Sequence, residues 1–330
     1  MLDRAWSGAF RREIRKSPRA NCRPQLESLE GRRLLNASLA TLPNISVPDY
    51  LGYQVPLDGS GSNAPTQTFT VMSSNTDIKA NVAQGQFLTL NVSHQAANAN
   101  DVTFNGPITV QLFQDLTPTT YQKLVGFITS GFYNGKTFFR VANNFPIGDT
   151  NGYIVQGGSS TNTGSGSSGL PGTPFGNELV QQLAFTNPGQ VALANTGQPN
   201  SNDTQFFFTT AAASNLDFNY TLFGQVVSGL DIVNQMTKVA LTNNTATQPG
   251  GIDATPVSPI TINSAALSNT DPNGVVHIDA TQALAGETST ITVTATDPST
   301  NTTATRSFQV TVAPNPTPPS NFNLQPSAFS

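Results

Sequence analysis

Three short apolar segments set the character of the middle of the chain: GYIVQGG (Gly152–Gly158), VALANTG (Val191–Gly197) and TQFFFTT (Thr204–Thr210). Each is rich in aliphatic or aromatic residues and carries one carboxamide, which is Gln156, Asn195 or Gln205. Apolar runs of this length between glycine-rich and asparagine-rich turns are typical of strands. Their surface is neutral and partly apolar, with amide groups to satisfy, and a peptide is a ligand that fits this description.

A helical pattern precedes these segments in TPTTYQKLVGFITSGFYNG (Thr117–Gly135). The apolar residues recur with helical spacing at Tyr121, Leu124, Val125 and Ile128. Thr117 and Pro118 suit the N-cap and the first helical position, and Gly131 suits the end of the helix. A second short helix is predicted within Gly229–Val239. Two helices and several strands favour a mainly β body, for which a closed barrel is one economical arrangement.

Both flanks of this region alternate polar and apolar residues at a period of two, which predicts strands. The predicted strands are Thr66–Ser74 and Ile78–Ala83 in the first flank, and Pro259–Leu267, Gly274–Ala280, Ser289–Asp297 and Thr305–Ala313 in the second. Each flank resembles part of a bacterial immunoglobulin-like or cadherin-like β-sandwich. We expect the two flanks to pack into one sandwich, with the middle of the chain as an insertion.

These patterns divide the 330 residues into five parts. The predicted parts are a basic leader (1–40), a β-rich flank (41–85), the central domain (86–241), a second β-rich flank (242–313) and a proline-rich tail (314–330). The tail cannot pair in a ladder and is expected to be solvated.

Charge is scarce and unevenly placed. Only 10% of the residues are charged, which argues against a coiled coil or a helix bundle. Residues 1–33 hold nine of the 15 basic residues, so the rest of the chain is acidic and predicts no nucleic-acid partner. No apolar run reaches the length of a membrane span. The leader segment CRPQLESLEGRRLLNASLA resembles the leaders of some exported bacterial surface proteins, which predicts a periplasmic, cell-surface or secreted protein.

Few side chains are available for acid, base or nucleophile chemistry. The charged residues between 138 and 224 are Arg140, Asp149, Glu178, Asp203 and Asp217, without lysine, histidine or cysteine. A nucleophile paired with a histidine base therefore cannot be assembled there. Cys22 is the only cysteine of the chain, and neither a nucleotide loop nor a metal motif occurs, so no cofactor is expected. His94 and His277 are expected at the surface.

Residues 86–241 resemble the cyclophilin-type peptidyl-prolyl cis-trans isomerases. The segments that carry the resemblance follow each other in family order: GFYNGKTFFRV (Gly131–Val141), GYIVQGG, FGNEL (Phe175–Leu179), GQVALANTG (Gly189–Gly197), NDTQFFFTT (Asn202–Thr210) and NLDFNYTLFGQVVSGLDIV (Asn215–Val233). The resemblance implies an eight-stranded antiparallel barrel capped by two helices. It also implies an enzyme that rotates X–Pro bonds, assists protein folding and binds proline-containing segments.

The resemblance also implies a set of site residues. Arg140, Gln156 and Asn195 match the catalytic group, in which the arginine points at the prolyl nitrogen. The residues that match the substrate-binding surface are Tyr153, Ile154, Ala194, Gln205, Phe207, Leu216 and Tyr220. Among three consecutive phenylalanines, Phe207 is expected to face opposite to its neighbours and to form the pocket floor. Asn195 could instead serve only to complete a turn.

Two departures from the family pattern affect these expectations. Family members usually place the pocket aromatic five positions after the arginine, whereas Tyr153 lies 13 positions after Arg140, which is eight residues more. The loop between them must bulge outward if both side chains are to share a pocket. Asn215 stands where cyclosporin-sensitive members have tryptophan, which predicts weak binding of cyclosporin. The alternative function is a non-catalytic peptide-binding or cell-surface scaffold in which the insertion has spoiled the site.

Overall fold

The computed structural model describes residues 36–59, 61, 66–143, 153–242 and 253–314, without the side chains of residues 143, 153 and 253. The first flank contributes β1 (Ile45–Pro48), β2 (Gly52–Leu57), β3 (Thr68–Ser73) and β4 (Lys79–Val82). The middle contributes β5 (Phe87–His94), β6 (Phe104–Leu112), α1 (Pro118–Thr129), β7 (Thr137–Asn143), β8 (Tyr153–Gly157), β9 (Gln190–Leu193), β10 (Phe206–Thr209), β11 (Leu222–Ser228), α2 (Leu230–Met236), β12 (Leu241–Thr242), β13 (Asp253–Pro256) and β14 (Ile260–Ser268). The second flank contributes β15 (Gly274–Asp279), β16 (Thr288–Asp297) and β17 (Thr302–Ala313).

The two flanks form one β-sandwich. One sheet has the order β1-β17-β16-β3 and the other β2-β15-β4, so each sheet combines strands from both flanks. The pairing of β1 with β17 is parallel and the remaining pairings are antiparallel. Inward-facing residues of both sheets, among them Val55, Val276, Val293 and Phe308, share one apolar core. The middle of the chain is therefore an insertion between β4 and β15, as the alternating patterns led us to expect.

The insertion is a closed antiparallel barrel of eight strands. Around the ring the order is β5, β6, β11, β9, β10, β8, β7 and β14, and β14 pairs again with β5. The barrel interior is filled by aliphatic and aromatic side chains, including Ile108, Phe138 and Phe208. Helix α1 buries Leu124, Phe127 and Ile128 against this core, and α2 buries Ile232, Val233 and Met236. The predicted barrel with two helices is confirmed.

The barrel extends further along the sequence than the predicted boundary at residue 241. Strand β14 was expected in the sandwich, but it pairs with β5 over its length and with β7 at Ile260 and Thr261. Alternation at period two identifies a half-buried strand without identifying its partner, so the pattern alone could not assign β14 to a sheet.

Local residues define both ends of α1, and a distant residue caps its N-terminus. Pro118 is the first helical residue and Gly131, with φ of +75°, follows the C-cap. Thr117 occupies the N-cap position, but its hydroxyl donates to the carbonyl of Phe113 and does not cap the helix. The carboxylate of Glu178 accepts the N–H groups of Thr119 and Thr120 in its place, at 3.0 and 2.6 Å. The predicted side-chain cap is thus supplied by a residue 58 positions after Thr120.

Both histidines are buried, which corrects the expectation that they lie at the surface. His94 is 3% exposed and His277 is 4% exposed. Each lies on a strand that pairs on both sides, β5 or β15, and histidine carries enough apolar ring surface to be packed there. The predicted leader, except its last five residues, and nearly all of the proline-rich tail lie outside the described residues. Within the described ranges, none of the helices combines the length and hydropathy needed to cross a bilayer.

Candidate active site

One row of side chains crosses four neighbouring strands of the barrel. The register places Arg140 of β7 opposite Gln156 of β8, Gln156 opposite Phe207 of β10, and Phe207 opposite Ala192 of β9. Residues directly opposite each other in a sheet point to the same face. We call Arg140, Gln156, Phe207 and Ala192 the outer row.

The outer row lies on the outside of the barrel. Phe206 and Phe208 belong to the barrel interior, whereas Phe207 packs in a separate apolar cluster with Ala192 and Ile154. Successive residues of a strand point to opposite faces, which explains why the middle phenylalanine differs from its two neighbours. The structure therefore places Phe207 on the face on which it was expected.

A chain of hydrogen bonds begins at the arginine. Arg140 donates from Nη1 to Oε1 of Gln156 at 2.9 Å, and Nε2 of Gln156 donates to Oε1 of Gln205 at 3.0 Å. Nε2 of Gln205 then donates to the carbonyl of Gly164 at 3.2 Å. Because a guanidinium can only donate, the amide oxygen of Gln156 must face Arg140 and its NH₂ group must face Gln205. This amide relay holds the guanidinium of Arg140 at the edge of the outer row.

The residues expected to form the apolar pocket lie beside the relay. Phe207 is 2% exposed and shares one buried cluster with Ile154 and Leu216. The half-buried ring of Tyr220 meets the ring of Phe207 edge to face, with centroids 5.3 Å apart. Ala194 also packs against this cluster, and its N–H donates to the carbonyl of Gln205 at 2.9 Å. The structure thus brings these predicted pocket residues together.

Two residues that the sequence analysis did not identify extend this cluster. Leu183 and Phe185 are buried in the same cluster, and the ring of Phe185 stacks on that of Phe207. Their segment lacks a recognisable motif, and only its apolar residues between polar neighbours could have signalled burial.

The side chain of Asn195 is part of the rim. Its Nδ2 donates to the carbonyl of Asn219 at 2.9 Å, and its Oδ1 accepts the N–H of Gly197 at 2.9 Å. These contacts fit the role of a residue that completes a turn. Asn195 also lines a groove of about 480 Å³ next to Leu216 and Tyr220. Asn177 and Asn219 line the same groove and were not predicted.

Asp217 is the one carboxyl group of this region with a strongly shifted pKa among the described residues. Burial raises the pKa of Asp217 to about 7, and the N–H that Phe185 donates to it offsets part of this rise. A buried carboxyl group without a cationic partner favours its protonated form. The sequence offered no signal for this, because neighbours in the chain do not reveal burial.

Tyr153, the remaining predicted pocket residue, is described by its backbone alone. Its backbone pairs with that of Asn143 at the start of β8, but its side chain is outside the description. The segment that precedes it, residues 144–152, lies outside as well. Within the described residues, no cluster of three or more histidine, cysteine, aspartate or glutamate side chains could hold a metal ion.

Comparison with known proteins gives consistent results for this region. The family described as cyclophilin type peptidyl-prolyl cis-trans isomerase/CLD matches residues 99–267. Peptidyl-prolyl cis-trans isomerase ppi1 of Schizosaccharomyces pombe is 36% identical over 140 residues, which are 42% of this chain and 84% of that protein. Peptidyl-prolyl cis-trans isomerase-like 1 of Emericella nidulans is 38% identical over 149 residues, which are 44% of this chain and 86% of that protein.

Solved structures are also similar to this chain. The crystal structure of a cyclophilin type peptidyl-prolyl cis-trans isomerase of Cryptosporidium parvum shares 22% identity with this chain, with a TM-score of 0.43. The match covers 56% of this chain and 98% of that one.

Proposed function

The chain belongs to the cyclophilin-type peptidyl-prolyl cis-trans isomerase family, and on that premise we propose that its active site is the outer row together with the pocket of Ile154, Leu216 and Tyr220. The protein is a peptidyl-prolyl cis-trans isomerase, so its chemistry is rotation about an X–Pro peptide bond. The C–N bond itself stays intact, and only its partial double-bond character is lost in the twisted state and regained afterwards. The site therefore needs neither a nucleophile nor a proton carrier.

The task of the site follows from the electronic structure of the amide. Rotation faces a barrier of ~18–20 kcal/mol, because the nitrogen lone pair is delocalised into the carbonyl. Twisting the bond returns the lone pair to the prolyl nitrogen. A donor aimed at that nitrogen binds the twisted state better than either planar isomer, which is the condition for catalysis. We assign this donor to the guanidinium of Arg140.

The relay prepares Arg140 for this role. An arginine on a flexible side chain would have to be ordered during each reaction, but Gln156 and Gln205 hold its guanidinium before substrate arrives. The charge is permanent and the donors are rigidly arranged, which makes arginine more suitable than lysine. Gln156 and Gln205 are thus positioning residues for Arg140.

The pocket holds the substrate on the other side of the rotating bond. We assign Phe207, Ile154 and Leu216 to the contact with the pyrrolidine ring, with Tyr220 at the rim. An apolar slot grips the ring by burial of its methylene groups, at ~0.8 kcal/mol for each. If the ring is fixed, rotation must move the residue before proline. Tyr153 is proposed as a further pocket residue from the sequence alone.

Ala194 and Asn195 are assigned to the strand edge along which the substrate backbone lies. Their backbone continues β9 beyond Leu193 beside the pocket. Because the side chain of Asn195 is already bonded to Asn219 and Gly197, we assign its contribution to its backbone groups.

The observation that carries the proposal is the bond from Arg140 to Gln156 next to Phe207 in one register row. A protease-coupled assay with an X–Pro peptide tests it. Arg140→Ala is expected to lose most of the activity, whereas Arg306→Ala, which removes an exposed arginine on β17 of the sandwich, is expected to retain it. Equal rates for wild type, Arg140→Ala and buffer would establish the scaffold alternative, which the family membership does not favour.

The flanks and the leader suggest where the enzyme works. The sandwich has one sheet of β2, β15 and β4 and a second of β1, β17, β16 and β3, and this order supports an immunoglobulin-like sandwich. With the leader pattern, it supports an exported enzyme that assists the folding of proline-containing proteins and has no nucleic-acid partner. N-terminal sequencing of the secreted fraction tests export, and an intact leader found only in the cytoplasm would contradict it.

A further inference from the structure

A short segment of the barrel lies between the sandwich and the pocket. We call residues 181–187, which connect towards β9, the support loop. Leu183, Ala184 and Phe185 in this loop are all buried. The ring of Phe185 lies against that of Phe207, nearly parallel and with centroids 6.0 Å apart. Any displacement of the support loop therefore reaches the floor of the pocket directly.

A glutamine of the sandwich holds this loop. Gln54 lies on β2 and has no exposed surface. Its Nε2 donates to the carbonyl of Gln182 at 2.7 Å, and its Oε1 accepts a hydrogen bond from Nε2 of Gln190 at 2.6 Å. The same Nε2 of Gln190 also donates to the carbonyl of Ala184 at 2.7 Å. Two carbonyls of the support loop are thus held by a pair of amides, one from the sandwich and one from the barrel.

Further contacts attach the loop to the same face of the sandwich. Nε2 of Gln181 donates to the carbonyl of Tyr50 at 2.7 Å, and Nδ2 of Asn187 donates to the carbonyl of Gln54 at 3.0 Å. Nε2 of Gln182 reaches Oδ2 of Asp279 on β15 at 3.3 Å. The attachment is therefore distributed along the loop, with Gln54 at its buried centre.

The backbone of β2 also approaches the loop closely. A Cβ atom at Gly52 would lie 2.1 Å from the carbonyl oxygen of Gln182 and 2.8 Å from its Cα atom. Both neighbours are backbone atoms that cannot rotate away, so any larger residue must push the loop. The sandwich and the loop can approach this closely only because residue 52 is a glycine.

We propose that Gln54 is a positioning residue for the isomerase, acting through the support loop on Phe207. The sandwich is then a working part of the active site as well as a flanking domain. This inference rests on the proposed function. Removal of the Gln54 amide leaves the carbonyl of Gln182 without this donor. Because an unsatisfied buried carbonyl is costly, the loop moves to find a new partner. Such movement changes the pocket and leaves Arg140 and its relay in place.

Two variants of the full chain, each with a matched control, test the proposal. Gln54→Met removes the amide at similar volume, and Gly52→Ala pushes the loop while keeping every amide. Gln67→Met is the first control, because Gln67 is a buried sandwich glutamine whose Nε2 bonds the carbonyls of Gly59 and Pro272. Gly59→Ala is the second, because its Cβ would lie 2.0 Å from the carbonyl of Pro272 and away from the support loop.

Rates are measured on an X–Pro peptide at a temperature at which all the variants are folded. Gln54→Met and Gly52→Ala are expected to raise KM and to lower kcat/KM roughly tenfold, as for a displaced binding surface. Their kcat should stay within about twofold of wild type, since the arginine is untouched. The amide NMR signals of Phe185 and Phe207 should shift in both. The two controls should lose stability without any of these changes.

The outcomes separate the two claims. An inactive wild type would overturn the proposed function. An active wild type with unchanged KM in both test variants, or with the same loss in the controls, would overturn the positioning role. If Gln54→Met does not fold, Gly52→Ala decides alone, because it removes no hydrogen-bonding group.

Discussion

Oδ1 of Asp217 accepts the N–H of Phe185 at 2.6 Å, beside the cluster in which Phe185 and Phe207 are buried. This bond joins the turn that carries Leu216 to the support loop, whose Phe185 stacks on Phe207. Burial raises the pKa of Asp217 to about 7 and so exceeds the effect of the bond that it accepts. A group that binds its proton more tightly in the native state than in the unfolded state makes stability depend on pH.

The first prediction concerns this dependence. The native state keeps the proton of Asp217 up to about pH 7, whereas the unfolded chain releases it near pH 3.8. Between these values the native state binds more protons, so stability should fall as pH rises and should level off above pH 7. Asp217→Asn removes this loss and should be more stable than wild type at pH 8, by at most about 4 kcal/mol.

Thermal unfolding between pH 4 and 8 measures this effect. Asp77→Asn, a change at an exposed aspartate of the sandwich, is the matched control and should follow the wild-type curve. A stability of Asp217→Asn that stays parallel to wild type over the whole range would refute the assignment to Asp217.

The second prediction compares the two glutamines of the amide relay. Gln156→Leu removes the acceptor that Arg140 uses and should lower kcat by roughly tenfold or more, with a smaller change in KM. Gln205→Leu breaks only the more distant bonds and should cost less. Steady-state kinetics on one X–Pro peptide gives both constants. An effect of Gln205→Leu larger than that of Gln156→Leu would contradict a relay that starts at the arginine.

The third prediction concerns cyclosporin. Asn215 is exposed and lines the groove next to Leu216, where sensitive members of the family have tryptophan. We expect wild type to bind cyclosporin weakly, with a Kd well above the nanomolar range. Asn215→Trp should lower this Kd at least about tenfold, which is ~1.4 kcal/mol of binding free energy. Titration calorimetry measures both. Asn234→Trp, on the exposed side of α2, is the control, and a nanomolar Kd for wild type would be incompatible with this account.

The fourth prediction contrasts the two buried histidines. Nδ1 and Nε2 of His94 lie 3.1 Å from the carbonyl of Pro259 and from Oδ1 of Asp101. In the described residues neither ring nitrogen of His277 has a hydrogen-bond partner, although Nε2 lies 3.6 Å from Oδ2 of Asp115. The ring packs edge to face on Phe113 with centroids 4.5 Å apart. His94→Phe should destabilise the protein by about 2 kcal/mol, because the buried carbonyl of Pro259 loses its bond to the ring. Oδ1 of Asp101 loses one of its three partners and keeps the N–H groups of Val102 and Ala240.

His277→Phe should have a much smaller effect. It keeps the ring contact with Phe113 and removes two nitrogens that make no hydrogen bond, at the cost of only the 3.6 Å contact with Asp115, so stability should stay within ~1 kcal/mol of wild type. Urea unfolding of both variants gives the comparison. A loss of stability in His277→Phe as large as that in His94→Phe would mean that His277 makes a hydrogen bond in solution.

Local chemistry made several elements predictable. Helix α1 could be located because Pro118 and Gly131 mark its two ends and its apolar residues repeat with helical spacing. The strands of the sandwich could be located from alternation, since one face of each is buried. The opposite orientation of Phe207 relative to Phe206 and Phe208 followed from the period of a strand.

The remaining features depend on pairings between distant parts of the chain. Strand register, and not the local pattern, places β14 in the barrel. Register also decides that Gln156, and not another residue of β8, lies opposite Arg140. Burial of Asp217 is a tertiary property. The link from Gln54 to the support loop spans 128 residues between Gln54 and Gln182, and no local signal marks either end.

The most direct test of the central claim separates binding from rotation in one experiment. NMR exchange spectroscopy on a short X–Pro peptide reports both binding, through peptide shifts, and cis–trans exchange, through cross peaks. Wild type should give both. Arg140→Ala should still shift the peptide, because Phe207 and Ile154 are intact, but should lose the exchange cross peaks. Exchange cross peaks of wild-type strength in Arg140→Ala would contradict the assignment of catalysis to this guanidinium.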